Sequence, residues 1–180
     1  MAKPAAPAGV GHARRCRQPR LRGPGKRRLT ERAKPPETPA GALACLDVAT
    51  GAVQWTFPVG DAVFGQPVVA GDRVDRVDRV LFGSRDGHVY AVSFEGRELY
   101  RVSLGGPVIA SLASTEGSVF AASVPGRILC LDPTDGRERW RLDLNGGGAE
   151  PHVFAPLRIH GNRLYVPSET PTPGSAVGIV

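Results

Sequence analysis

A glycine-then-strand unit that recurs three times, short β-rich runs at roughly ten-residue spacing, and the lack of any sustained helical period predict an all-β fold, a propeller of four-stranded blades. The unit reads Gly41-Ala-Leu-Ala-Cys-Leu-Asp47, then Gly87-His-Val-Tyr-Ala-Val-Ser93, then Gly126-Arg-Ile-Leu-Cys-Leu-Asp132. After each strand come a turn and an aromatic residue at a near-constant offset: Trp55, Tyr100 and Trp140. The last two glycines lie 39 residues apart, the length of one four-stranded blade. A superperiod of that length fits a propeller better than a sandwich.

The first interval is longer, 46 residues, because Asp72-Arg-Val74 is followed by Asp75-Arg-Val77 and Asp78-Arg-Val80. Two of these triplets are surplus. Without them the chain runs from a normal turn into a strand, so a tandem duplication has lengthened a hairpin, and its alternating charges suit an exposed loop. β-Rich runs bounded by Gly, Pro and Asp then predict strands over 67–70, 80–83, 89–93, 98–103, 108–112, 119–122, 128–132 and 137–142.

Charge divides the chain at residue 40. The first 40 residues carry 11 Lys and Arg against Glu31 and Glu37, a balance of +9, whereas the remainder is −3. Seven prolines interrupt this stretch and no aromatic residue is present to stack on a base. Residues 1–40 are therefore expected to be a disordered basic Pro/Arg-rich tail with weak polyanion binding at most, followed by the propeller over 41–180. No apolar run in the tail resembles a signal-peptide core and none elsewhere approaches a membrane span, so a cytoplasmic location is the default expectation. Cys16, Cys45 and Cys130 have no metal-ligand spacing; Cys45 and Cys130 hold equivalent strand positions and read as small buried hydrophobes.

Two segments carry a more specific likeness. Leu46-Asp-Val-Ala-Thr-Gly-Ala-Val-Gln-Trp55 and Leu131-Asp-Pro-Thr-Asp-Gly-Arg-Glu-Arg-Trp140 resemble the Ala/Leu-Asp-x-x-Thr-Gly-x-x-x-Trp docking motif of the PQQ-like (quinoprotein-type) repeat family. The middle copy, Val92-Ser-Phe-Glu-Gly-Arg-Glu-Leu-Tyr100, departs from it by a turn one residue shorter, Ser93 for Asp, and Tyr100 for Trp. The motif's structural residues here are Asp47, Thr50, Gly51 and Trp55; Gly96 and Tyr100; and Asp132, Gly136 and Trp140. Asp and Thr cap the turn's own amides, glycine supplies positive φ, and the large aromatic bridges to the neighbouring blade. The family's strand order implies two outer strands over 41–60, full blades over 64–103 and 107–144, and two inner strands over 152–167, a PQQ-like propeller fragment of about three blades. Residues 174–180 are expected to begin another strand. Closed propellers use roughly four to eight blades, so additional blades are implied as partners, by self-association or from a larger protein. Each open blade face exposes about 400 Å² of apolar surface, worth about 10 kcal/mol at about 25 cal/mol/Å².

Quinoprotein dehydrogenases of similar repeat build hold their cofactor on the propeller axis, with acidic and amide ligands around a metal ion and, in many, adjacent cysteines. This chain has no adjacent cysteines. Its candidates for axis-facing loop ends that bind a ligand are Asp61, Gln66, Glu150 and His152, too few for a hard cation that takes about six or more oxygens. No metal site, no PQQ and no other cofactor is expected of this chain alone. Asp86 and Glu95 precede turn glycines and read as turn residues; no nucleophile elbow or phosphate loop occurs, and no catalytic residue is assigned.

The expected function is a non-catalytic binding or scaffolding module, presenting propeller loops to a protein or small ligand. Related propellers serve as sensor regions appended to bacterial Ser/Thr kinases, as an outer-membrane assembly lipoprotein, and as part of a β-alanine-activating enzyme. Two alternatives stand beside it: a piece of a quinoprotein oxidoreductase whose site lies in other blades, and a truncated gene product without independent function.

Overall fold

The computed structural model describes residues 39–70, 79–144 and 151–169. The tail up to residue 38, the duplicated triplets over 71–78, the glycine-rich connection over 145–150 with Glu150, and residues 170–180 lie outside them. Among the described residues there is no helix.

The described residues form twelve antiparallel strands in four sheets. The first sheet pairs β1 (Gly41–Leu46) with β2 (Val53–Val59). The second is a full blade of β3 (Val68–Ala70), β4 (Arg79–Gly83), β5 (His88–Ser93) and β6 (Glu98–Ser103), hydrogen-bonded in sequence order. The third repeats it with β7 (Ala113–Thr115), β8 (Ser118–Ala122), β9 (Arg127–Leu131) and β10 (Glu138–Asp143). The last pairs β11 (Arg158–His160) with β12 (Arg163–Tyr165). The expected division into an outer pair, two whole blades and an inner pair is the one observed. Each outer hairpin has a register shift beside its turn, between Cys45 and Leu46, between Ala91 and Val92, and between Glu138 and Trp140, so the middle repeat keeps the backbone irregularity although its turn is shorter.

The core lies between sheets. Period-two alternation sends successive side chains to opposite faces, and each face packs on the next blade. Phe57 of the first pair meets Phe82 and Tyr90 of the next blade edge-on, within a cluster that includes Val59 and Val92. Leu81, Val89 and Ala91 of one full blade meet Val119, Leu129 and Leu131 of the other. Ala122 and Ile128 then meet Val153 and Leu157 at the third junction. Cys130 is buried, as expected, and burial pushes its thiol pKa up; Cys45 is half-buried.

Seven of the eight expected strands appear within a residue or so of their predicted limits. The eighth, over 108–112, is irregular, and the innermost strand of its blade starts at Ala113. The reason is tertiary. Val108 N–H donates to Ser84 O at 3.1 Å, and Pro107 O accepts from Val124 N–H at 2.7 Å, so the backbone here bonds to turns of two blades instead of a sheet neighbour. Val108, Ala110 and Leu112 are buried because the segment crosses between blades, which gives it the apolar pattern of a strand without the ladder.

Candidate functional sites at the blade junctions

The docking motif builds its turn before it builds a contact. In the first copy the Asp47 carboxylate accepts from Thr50 N–H and Thr50 Oγ1, both at 2.7 Å, and from Ala49 N–H at 3.1 Å. These bonds, the Thr50 hydroxyl first, hold the carboxyl pKa below its ordinary value. Gly51 closes the turn at φ +70, where a side chain would be strained. Asp132 does the same in the third copy, taking Thr134 N–H at 2.8 Å and the Arg139 guanidinium at 2.7 Å, the latter chiefly lowering its pKa. In the shortened middle copy Ser93 Oγ accepts from Glu95 N–H at 3.2 Å and donates to the Glu95 carboxylate at 2.7 Å. Glu95 therefore completes a cap that Ser93 alone is too short to make, and it stays below the usual carboxylate range through that bond.

The turns are seats for aromatic residues of the preceding sheet. Trp55 lies against Gly96 so closely that a Cβ there would fall 2.7 Å from the indole, and its Nε1–H donates to Phe94 O at 2.6 Å. Tyr100 lies against Gly136 in the same way, with a Cβ position 2.6 Å from its ring, and its hydroxyl donates to Pro133 O at 2.6 Å. Burial pushes the Tyr100 pKa up to about 12. The acceptor is in both cases the carbonyl of the residue after the capping side chain. The third pairing is open at both ends: no described residue lies within 4 Å of a Cβ at Gly51, and Trp140 is 42% exposed, resting on Phe120 of its own blade at 5.8 Å between ring centres.

A second staple was missed by sequence reasoning. Asp86, read there as a turn residue, accepts from Gly60 N–H of the preceding sheet at 2.9 Å and from the Tyr90 hydroxyl at 2.7 Å, while its other oxygen takes His88 N–H at 3.1 Å. Burial and this carboxylate raise the Tyr90 pKa. The Asp-Gly dipeptide announced a turn and gave no sign of the contact across blades.

The three described axis-facing candidates, Asp61, Gln66 and His152, do not converge. Asp61 is 6% exposed, 3.8 Å from the Arg85 guanidinium, and its backbone carbonyl accepts from Ser84 Oγ. Gln66 is exposed; its N–H donates to Ser111 Oγ at 2.9 Å, and it borders an open hollow of about 300 Å³ with Ser111, Ser114 and Arg158. His152 borders a different hollow of about 190 Å³ with Phe154, Ser168 and Glu169, and its backbone bridges Glu169. Glu150 lies outside the described residues. Among the described residues no three His, Cys, Asp or Glu side chains are grouped to hold a metal ion. Among the described residues no helix long and apolar enough to cross a membrane occurs.

Comparison with known proteins bears on this arrangement. A family model described as outer membrane protein assembly factor BamB matches residues 36–95 and 85–172. Among curated proteins, the serine/threonine-protein kinase AfsK of Streptomyces griseus is 34% identical over 133 residues, and that of Streptomyces coelicolor is 33% identical over 125 residues. These alignments take in 68% and 66% of this chain but only 16% of each kinase. Among solved structures, BamB from Moraxella catarrhalis superposes with a TM-score of 0.60 at 20% identity, over 72% of this chain and 38% of that one. A BBS1N structure in complex with ARL6DN, soaked with mercury, has a TM-score of 0.51 at 22% identity, over 72% of this chain and 41% of that one.

Proposed function

We propose a function from one premise: the chain belongs to the PQQ-like, BamB-type β-propeller repeat family. On that premise it is a non-catalytic binding or scaffolding module, whose blades present an inner-strand surface to a protein or small ligand. The observation that supports this most is where the polar side chains go. Asp47, Asp61, Asp86, Ser93, Glu95 and Asp132 are spent on turns and on contacts between blades, which leaves the hollow beside Gln66, Ser111, Ser114 and Arg158 as a recognition surface drawn from three sheets. No cofactor is assigned to it.

The kinase relatives support a sensor setting. The matched region is about one sixth of each kinase, a proportion suited to a recognition segment attached to a catalytic one. Additional blades, from a second copy or from a longer protein, are its expected structural partners.

Thermal-shift screening of the chain against metabolite and peptide panels, followed by titration of hits into Gln66→Ala and Ser111→Leu variants, tests the reading. A hit whose affinity falls at least tenfold in both variants supports the module. Catalytic turnover of a quinone-coupled alcohol or sugar substrate by the chain would overturn it.

A further inference from the structure

We propose that two copies of this chain close end to end, Trp140 of each seating on the Asp47–Gly51 turn of the other. This rests on the reading of the chain as a partial propeller, and names its partner as a second copy. The chain carries three equivalent turns and three equivalent aromatics. Two of each are matched internally, leaving one turn and one aromatic whose chemistry already fits.

Trp55 and Tyr100 show what a seated aromatic requires: a left-handed glycine with no Cβ, and a free carbonyl just after the cap. Gly51 is at φ +70 with open space where a Cβ would stand, against φ +79 at Gly96 and φ +74 at Gly136. The carbonyl equivalent to those of Phe94 and Pro133 is that of Val48, a fully exposed residue after the capped Asp47. Trp140 Nε1–H is the matching donor, and no bond from it occurs among the described residues.

The flanking surfaces agree. Ala42, Ala44, Leu46 and Val53 form an exposed apolar face on the first pair, and Tyr90 and Val92, the counterparts of Ala44 and Leu46 in the full blade, pack on the preceding sheet. Beside Trp140, Leu142 is 51% exposed where its counterpart Val102 packs against the adjoining blade. The strand pairs are complementary as well: β11 and β12 hold the inner places of a blade and β1 and β2 the outer places, so the β12 edge of one copy adjoins the β1 edge of the other. Two copies then make a ring of six blades. Four open faces at about 400 Å² each bury about 1,600 Å², the size of a stable specific interface.

Light scattering on a size-exclusion column, run with the full chain over a hundredfold range of about micromolar to submillimolar concentration, tests the proposal together with tryptophan emission. The expected result is twice the chain mass at the upper end, with emission shifting to shorter wavelength as Trp140 becomes covered. Trp140→Arg at one end and Leu46→Arg at the other should each return the mass to one chain while the far-ultraviolet circular dichroism stays unchanged. Both sites are exposed in the single chain, so neither variant threatens its folding. A single-chain mass at every concentration overturns the proposal, and so does a dimer that survives either variant. Ligand binding at the Gln66 hollow is read separately, so a single-chain mass leaves the module reading standing.

Discussion

The turn after β5 and the turn after β1 are built from the same motif, yet one is covered and the other bare. Gly96 lies under Trp55, whereas Gly51 has no described residue within 4 Å of where its Cβ would be. Both have a left-handed glycine and a capping side chain, Ser93 aided by Glu95 in one and Asp47 aided by Thr50 in the other. The turn is therefore a local structure that forms from its own residues, and docking is a separate step that needs the preceding sheet. The aromatics show the same division: Trp55 and Tyr100 are half-buried, and Trp140 is exposed.

The largest expected contrast comes from filling a seat. Gly136→Ala places a Cβ in the Tyr100 ring and strains the left-handed backbone, at a cost of about 2 to 4 kcal/mol in urea unfolding, whereas Gly51→Ala meets open space and costs about 1 to 2 kcal/mol from backbone strain alone. Equal losses at the two positions would show that the seats do not discriminate between covered and bare turns. Next in size is Asp86→Ala, which strips partners from Gly60 N–H and the Tyr90 hydroxyl across a junction and should lose about 3 kcal/mol. Asp47→Ala, confined to an exposed turn, should lose less than Asp86→Ala by the same measurement.

Smaller still is Tyr100→Phe, which keeps the ring on Gly136 and removes one bond to Pro133 O, for a loss of about 1 kcal/mol. The hydroxyl also carries a pH signature. Its folded pKa is raised by burial to about 12, so its contribution is fully present below the ordinary value of 10.0 and is lost as pH rises from there through the folded value. Wild-type stability should therefore fall more steeply than that of Tyr100→Phe over this window. Parallel pH profiles would place the Tyr100 hydroxyl in water and weaken the contrast with the bare seat.

Much of this architecture was legible in the residues because a repeat states its own register. Three spaced glycines and three aromatics located the outer hairpins, and the shortened middle turn was visible as one missing residue before Gly96. The strand expected over 108–112 misled because burial between blades and burial within a sheet select the same apolar residues. Asp86 was underestimated for a related reason: an Asp-Gly turn has the same local spelling whether or not its carboxylate reaches a neighbouring sheet. The described members of the axis-facing set shared a sequence rationale and no common place, since Asp61 folds onto Arg85 while Gln66 and His152 border different hollows.

The resemblance to the repeat family implied the division into 2, 4, 4 and 2 strands; by itself the sequence determined the all-β class, the blade period and the chemistry of each turn. All of these depend on alternation, glycine placement and side-chain caps acting within about ten residues. Only the tertiary structure decided which turn receives which aromatic, where the irregular crossing replaces a strand, and which seat stays bare. Those outcomes depend on contacts some 30 to 40 residues apart, such as Trp55 with Phe94 and Tyr100 with Pro133, where the partner is a backbone carbonyl whose position no side-chain pattern encodes.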